Sequence, residues 1–132
     1  MSDAIREKAE QHFSYRVDMA ERLGGTPEAA RREKDMGLRL LETALTLAPG
    51  EVLGLAGHFD DSLSREENFA TAWNVLPYLC GALRLFELEF AHPELGVVPY
   101  EHVSQLLNGA QSVEYQGVTL TAKDVFVQCR RV

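Results

Sequence analysis

Phe69-Ala70-Thr71-Ala72-Trp73-Asn74-Val75-Leu76-Pro77-Tyr78-Leu79-Cys80-Gly81-Ala82-Leu83-Arg84-Leu85-Phe86-Glu87-Leu88-Glu89-Phe90 is the stretch on which the fold turns. Phe69, Leu76, Leu83 and Phe90 recur every seven residues, and Ala72, Leu79 and Phe86 fill the intermediate positions, which is the spacing of a heptad seam. Trp73, Val75, Tyr78, Cys80, Leu85 and Leu88 make most of the remaining circumference apolar. A helix of that kind is buried on most sides. Pro77 removes one backbone donor and predicts a kink or split near Leu76. Just upstream, Ser64-Arg65-Glu66-Glu67 has the form of a capping box, with Ser64 at the N-cap and Glu67 three residues on.

On the N-terminal side, Ile5, Ala9, Phe13, Val17, Ala20 and Leu23 fall in steps of three and four and define one helix face, with Ser2 or Asp3 as its cap. Gly24-Gly25 stops that helix. Thr26-Pro27 restarts the next, with a hydroxyl at the N-cap and proline at the first helical position. Met36, Leu40, Leu41, Ala44, Leu45 and Ala48 carry the second helix to Pro49-Gly50. Two helices joined this tightly form an antiparallel hairpin. Residues 50–64 have no clear period.

Beyond Phe90, Tyr100 to Leu107 reads as a short helix closed by Asn108-Gly109. Val113, Tyr115, Val118 and Leu120 flank Gln116-Gly117 as a tight β-hairpin would. Residues 121–132 fit a helix carrying Val125, Phe126 and Cys129 as well as they fit a strand. The expected architecture is mostly α: one compact domain over residues 1–132, a helical hairpin packed on a kinked central helix, and a small β-hairpin near the C-terminus.

The 132 residues include 13 Lys and Arg against 20 Asp and Glu, a net charge of −7. Such a balance counts against generic binding to nucleic acid or anionic lipid, both of which need clustered cations. The acidity is local. Residues 50–114 hold two basic and ten acidic groups, a net of −8, whereas residues 1–35 are near balance and residues 115–132 carry a net of +2. No apolar run reaches the length of a membrane span, and the first residues lack the pattern of a secretory signal. Cys80 and Cys129 read as reduced, buried thiols, and the expected location is cytoplasmic.

Two short resemblances arise. Met19 to Arg32 resembles a helix-turn-helix over about fourteen residues, with Ala20 and Gly24 four apart before the turn. It departs from that pattern at Gly25 and Glu33, where apolar residues belong, and Glu28 would bring a carboxylate toward phosphate. The resemblance implies a DNA-binding regulator. Leu41-Glu42-Thr43-Ala44-Leu45-Thr46-Leu47-Ala48-Pro49 is similar to the second helix of a tetratricopeptide repeat, with Gly37, Leu41, Ala44 and Pro49 at matching offsets. No second copy follows at the repeat interval.

Chemistry-bearing clusters are few. His58-Phe59-Asp60-Asp61 sets an imidazole two and three residues from carboxylates, the ingredients of proton transfer or metal binding. A small hydrolase or metal-dependent enzyme using His58, Asp60 and Asp61 is the alternative this supports. His92 with Glu94, and Glu101 with His102, could contribute only if the fold brings them close. The residues themselves favour a non-catalytic role without cofactor or metal: binding another protein with a basic surface, as inhibitor, regulator or adaptor. The expected contact residues are Phe59, Asp60, Asp61, Glu66 and Glu67, and the Phe69-Leu76-Leu83-Phe90 face offers a route to a homodimer.

Overall fold

In the computed structural model, which describes residues 2–132, two long helices come first: α1 (Ser2–Arg22) and α2 (Pro27–Thr46). The helix already includes Ser2, so neither Ser2 nor Asp3 caps it; Asp3 lies in its first turn. Gly24 takes the left-handed conformation (φ +69°), and the amide of Gly25 bonds back to the carbonyl of Ala20 at 2.9 Å. Thr26 holds the N-cap position of α2 but its hydroxyl makes no capping bond, which leaves Pro27 as the operative start signal.

The helices lie antiparallel. Arg6–Glu42 (2.6 Å), Glu10–Lys34 (3.0 Å), Arg16–Glu33 (2.8 Å) and Glu21–Arg31 (2.7 Å) cross between them from one end to the other. Glu33 is buried and relies on Arg16 to satisfy its carboxylate, whereas the other three pairs are solvent-accessible and fix register more than they add stability. Between them Phe13 is buried against Gly37, where a side chain would collide with its ring. A helix-turn-helix crosses at a wide angle instead, leaving its second helix free to enter a groove.

The expected mostly-α class is overturned: the described residues form a mixed α/β fold with four α-helices and two small sheets. After β1 (Val52–Gly54) and a 3₁₀ turn at Leu55–His58, α3 spans only Arg65–Pro77. It then loosens into a π turn over Tyr78–Ala82, where the Leu83 amide reaches the carbonyl of Tyr78 at 3.0 Å. Proline lacks the donor for the carbonyl four residues back, so the helix cannot continue in register. Arg84 adopts a positive φ of 53°, and the chain leaves as β2 (Phe86–His92) rather than as helix.

The heptad seam therefore does not exist as a surface. Leu76 is fully buried in α3, Leu83 lies in the π turn and Phe90 belongs to a strand, so the homodimer face expected from those residues is absent. Phe86-Glu87-Leu88-Glu89-Phe90 alternates apolar with acidic, which is strand chemistry once a partner strand is present. That partner is β6 (Phe126–Arg131), which resolves residues 121–132 in favour of a strand.

With β3 (Gly96–Val98), these strands form a fully antiparallel sheet in the order β1-β6-β2-β3. Leu53, Cys129 and Leu88 lie abreast on three strands, and Glu87 faces Arg130. Glu89 accepts from Gln128 (3.0 Å) and from Arg130 (2.9 Å), which holds its carboxyl below the usual range. Arg131 donates to the carbonyls of Ala44 (3.0 Å) and Leu85 (3.3 Å). The basic end of the chain is thus bound up in the sheet.

The buried faces of α1, α2 and α3 meet this sheet in one apolar core containing Phe13, Leu40, Leu76, Phe86 and Cys129. Burial pushes the Cys129 thiol up to about 12, with Cys80 nearby adding to the effect. Neither cysteine is in a disulfide. A second, smaller apolar cluster is built by α4 (Tyr100–Leu107) and the hairpin β4 (Val113–Tyr115) and β5 (Val118–Leu120), with Val98 of β3. The hairpin turns at Gln116-Gly117, both with positive φ, as a tight two-residue turn requires. No helix among the described residues is long and apolar enough to cross a membrane.

Candidate functional site

The loop before α3 is held by one buried side chain. Asn68 lies one turn into the helix; its Oδ1 accepts from the Asp60 amide (2.9 Å). Its Nδ2 donates to the carbonyls of Asp60 (2.9 Å) and Ser64 (3.0 Å). The capping box closes beneath it: the Ser64 hydroxyl accepts from the Glu67 amide (3.1 Å), and the Glu67 carboxylate accepts from the Ser64 amide (3.4 Å). Asp60 in turn accepts from the amide (2.9 Å) and hydroxyl (2.6 Å) of Ser62. These bonds, with Arg39 and Arg32 adding attraction, lower the Asp60 carboxyl below its ordinary range.

The five residues expected to contact a partner are gathered in this region but differ in freedom. Asp60 and Glu67 spend their carboxylates on the loop and the cap. Asp61 and Glu66 are exposed, and no hydrogen bond or ion pair engages them among the described residues. Phe59 is half-buried, edge-on to Phe69 with ring centroids 5.0 Å apart.

His58 does not join the two aspartates in an acid–base group. No hydrogen bond links its imidazole to Asp60 or Asp61 among the described residues, and its carbonyl accepts from Arg39 at 3.2 Å. Burial, aided by Arg39, lowers its pKa from the ordinary imidazole value. Among the described residues no three His, Cys, Asp or Glu side chains are grouped to hold a metal ion. His92 sits in the β2–β3 turn, where its Nδ1 accepts from the Glu94 amide (3.1 Å). His102 lies 3.6 Å from Glu101 and packs against the Tyr115 ring.

A cleft of about 320 Å³ opens where the two apolar clusters meet, a feature that no local sequence pattern announced. One wall is a stripe of α3. Arg65, Phe69 and Trp73 are four residues apart and so project from one side, next to the face that Ala72, Val75 and Leu76 bury. The opposite wall is α4, through Val103, Leu106 and Leu107, and the segment entering β6 forms the floor. Trp73 is 46% exposed and Leu107 64% exposed. The Arg65 guanidinium stands 5.4 Å above the Phe69 ring and is the single charged group in the lining.

The sequence does contain the four-residue spacing of Arg65, Phe69 and Trp73. What it lacks is any local sign that α4 and the approach to β6 would face that stripe.

No family model matches this chain, and neither a curated protein nor a solved structure is significantly similar to it.

Proposed function

We propose that this protein is a non-catalytic binding module that captures another protein with a basic surface through the N-terminal half of α3 and the loop before it. The observation that carries this reading is the set of groups left over after the fold is satisfied. Asp61 and Glu66 are exposed and unengaged beside a partly exposed aromatic pair, Phe59 and Phe69. Aromatic anchors flanked by free charge are the usual makings of an interface, with the rings supplying affinity and the charges steering the encounter. The net of −8 over residues 50–114 extends that steering field around the same loop. An inhibitor, a regulator or an adaptor would each use such a face.

The contact set is Phe59, Asp61 and Glu66, with Asp60 and Glu67 shaping the loop rather than touching the partner. The test starts with a partner isolated from the native host and purified. Its association rate is then measured with wild type and with Asp61→Lys/Glu66→Lys at low and moderate salt. The double reversal is expected to slow association at least about tenfold at low salt and to flatten the salt dependence. An unchanged rate with an unchanged salt slope rejects the reading. Neither carboxylate bonds the loop, and the reversal at Glu66 gives up only the dipole interaction of a first-turn acid, about 0.3–1 kcal/mol.

A further inference from the structure

The cleft between α3 and α4 shares Phe69 and the first turn of α3 with the acidic face, but its walls are otherwise its own, and its occupancy can be read without a protein partner. It is not a gap left by a missing core: each cluster beside it has its own buried residues, Leu76 and Phe86 on one side, Val103 and Leu120 on the other. Its volume of about 320 Å³ lies at the lower end of small-molecule clefts, roughly 300–1,000 Å³. The lining combines aromatic and aliphatic side chains with one fixed polar group, Arg65.

We propose that this cleft binds an aliphatic monocarboxylate of medium chain length, with its hydrocarbon tail between Trp73 and Leu106 and its carboxylate on the Arg65 guanidinium. Arg65 is exposed and makes no ion pair among the described residues, a state it shares with Arg32, Arg39, Arg84 and Arg131, but it is the arginine that lines this cleft. Its guanidinium stands over the Phe69 ring with no hydrogen-bond partner among the described residues, and a guanidinium edge matches the two oxygens of a carboxylate. Arg65 also opens α3, where the helix dipole favours an anion.

The acidic surroundings sharpen the choice of ligand. With a net of −8 over residues 50–114, a small hydrophilic anion gains little from a single arginine and is repelled by its neighbours. Burial of a hydrocarbon chain in the cleft supplies the affinity that the single charge pair does not, so an amphipathic anion is held where a small hydrophilic one is not. A neutral ester, amide or alcohol of the same chain fills the cleft but leaves the guanidinium without its partner.

The chain has one tryptophan, and it lines the cleft, so its emission reports occupancy directly. Decanoate, titrated below its micelle-forming concentration, is expected to change Trp73 emission saturably. Acetate is expected to leave it unchanged, and 1-decanol to bind at least about tenfold more weakly than decanoate. Arg65→Gln should weaken decanoate about tenfold while leaving 1-decanol untouched, so that the two bind alike. Ala122→Phe, at an exposed lining position, should block both without disturbing either buried cluster. The proposal is overturned by a lack of saturable change with decanoate, by 1-decanol binding as tightly as decanoate to wild type, or by decanoate binding undiminished in Ala122→Phe. None of these readings involves a protein partner.

Discussion

Replacing Gly37 with alanine sets two effects of known sign against each other. In the interior of α2 the exchange should help, since glycine costs a helix about 1 kcal/mol relative to alanine. At this position the new methyl carbon would stand 2.4 Å and 2.6 Å from two carbons of the Phe13 ring, where ordinary contact is 3.4–4 Å. The ring must therefore retreat by about 1 Å. It has little room to do so: Phe13 is 1% exposed, and its ring is met edge-on by His12 at 5.0 Å and by Tyr78 at 5.6 Å. Overpacking a filled core by a methyl group costs about 1–3 kcal/mol. Because the ring is hemmed in, the cost falls in the upper part of that range, about 2–3 kcal/mol, and after the propensity gain a net destabilisation of about 1–2 kcal/mol is expected. Denaturant unfolding followed by circular dichroism measures it directly, with the m-value checked for constancy. Phe13→Leu, which shortens the offending ring, supplies the second arm of a double-mutant cycle. Alanine at 37 should become neutral or favourable in that background, giving a coupling above about 1 kcal/mol. A Gly37→Ala protein as stable as wild type would refute the close approach of α1 and α2 on which this helical hairpin is built.

Two further expectations concern the loop and the response to acid. Asn68→Ala removes the side-chain bonds that pin Asp60 and Ser64 and leaves the Asp60 amide without a partner, while the two carbonyls keep their bonds from the amides of Leu63 and Asn68; a loss of about 1–3 kcal/mol is expected. Hydrogen exchange should quicken at Asp60 and Ser62 more than in α1, and uniform protection would contradict the role given to Asn68. His12 and His58 both have pKa values lowered chiefly by burial, His12 beside Arg16 and His58 beside Arg39. Because the unfolded chain takes up these protons first, their contribution is complete above about pH 7 and drains away as pH falls through about 6.5 toward the lowered values. A second loss follows below about pH 4.5, as Glu10 and Glu89, lowered chiefly by their bonds to Lys34 and Arg130, are protonated. Unfolding free energies at pH 8, 6 and 5 should fall in order, with His12→Gln reducing the first step; a flat profile over that range contradicts the assignment.

The parts of this fold that are legible in the sequence are those decided by near neighbours. The α1–α2 hairpin follows from apolar steps of three and four and from Gly24, the start of α3 from Ser64 and Glu67, and the β4–β5 turn from Gln116-Gly117. Leu85 to Phe90 satisfies two periods at once, so its helical spacing does not decide its structure. Leu83, Phe86 and Phe90 fall at helical steps, while Phe86, Leu88 and Phe90 alternate with two glutamates. Six cross-strand partners on β6, about forty residues downstream, decide between them. The acidic loop stands out by composition alone, and the geometry separates the unengaged carboxylates of Asp61 and Glu66 from those of Asp60 and Glu67. The cleft was invisible for the same reason as β2: its walls are contributed by segments far apart in the chain, and no local pattern records their meeting.

The central place of β6 has a consequence for how the molecule is made. Gly54 pairs with Gln128, so the first strand of the sheet waits for the last, across a loop of 74 residues. Contacts that distant are slow to form, because the chain between them must give up its freedom before pairing offers any return. The helical hairpin, whose partners lie close in sequence, can assemble well ahead of the sheet. Until β6 arrives, Leu85 to Phe90 has no neighbouring strand, and its helical spacing is then unopposed. Folding of this protein should therefore show a fast rise in helix signal, overshooting its native value, followed by a slower phase in which that excess is traded for strand.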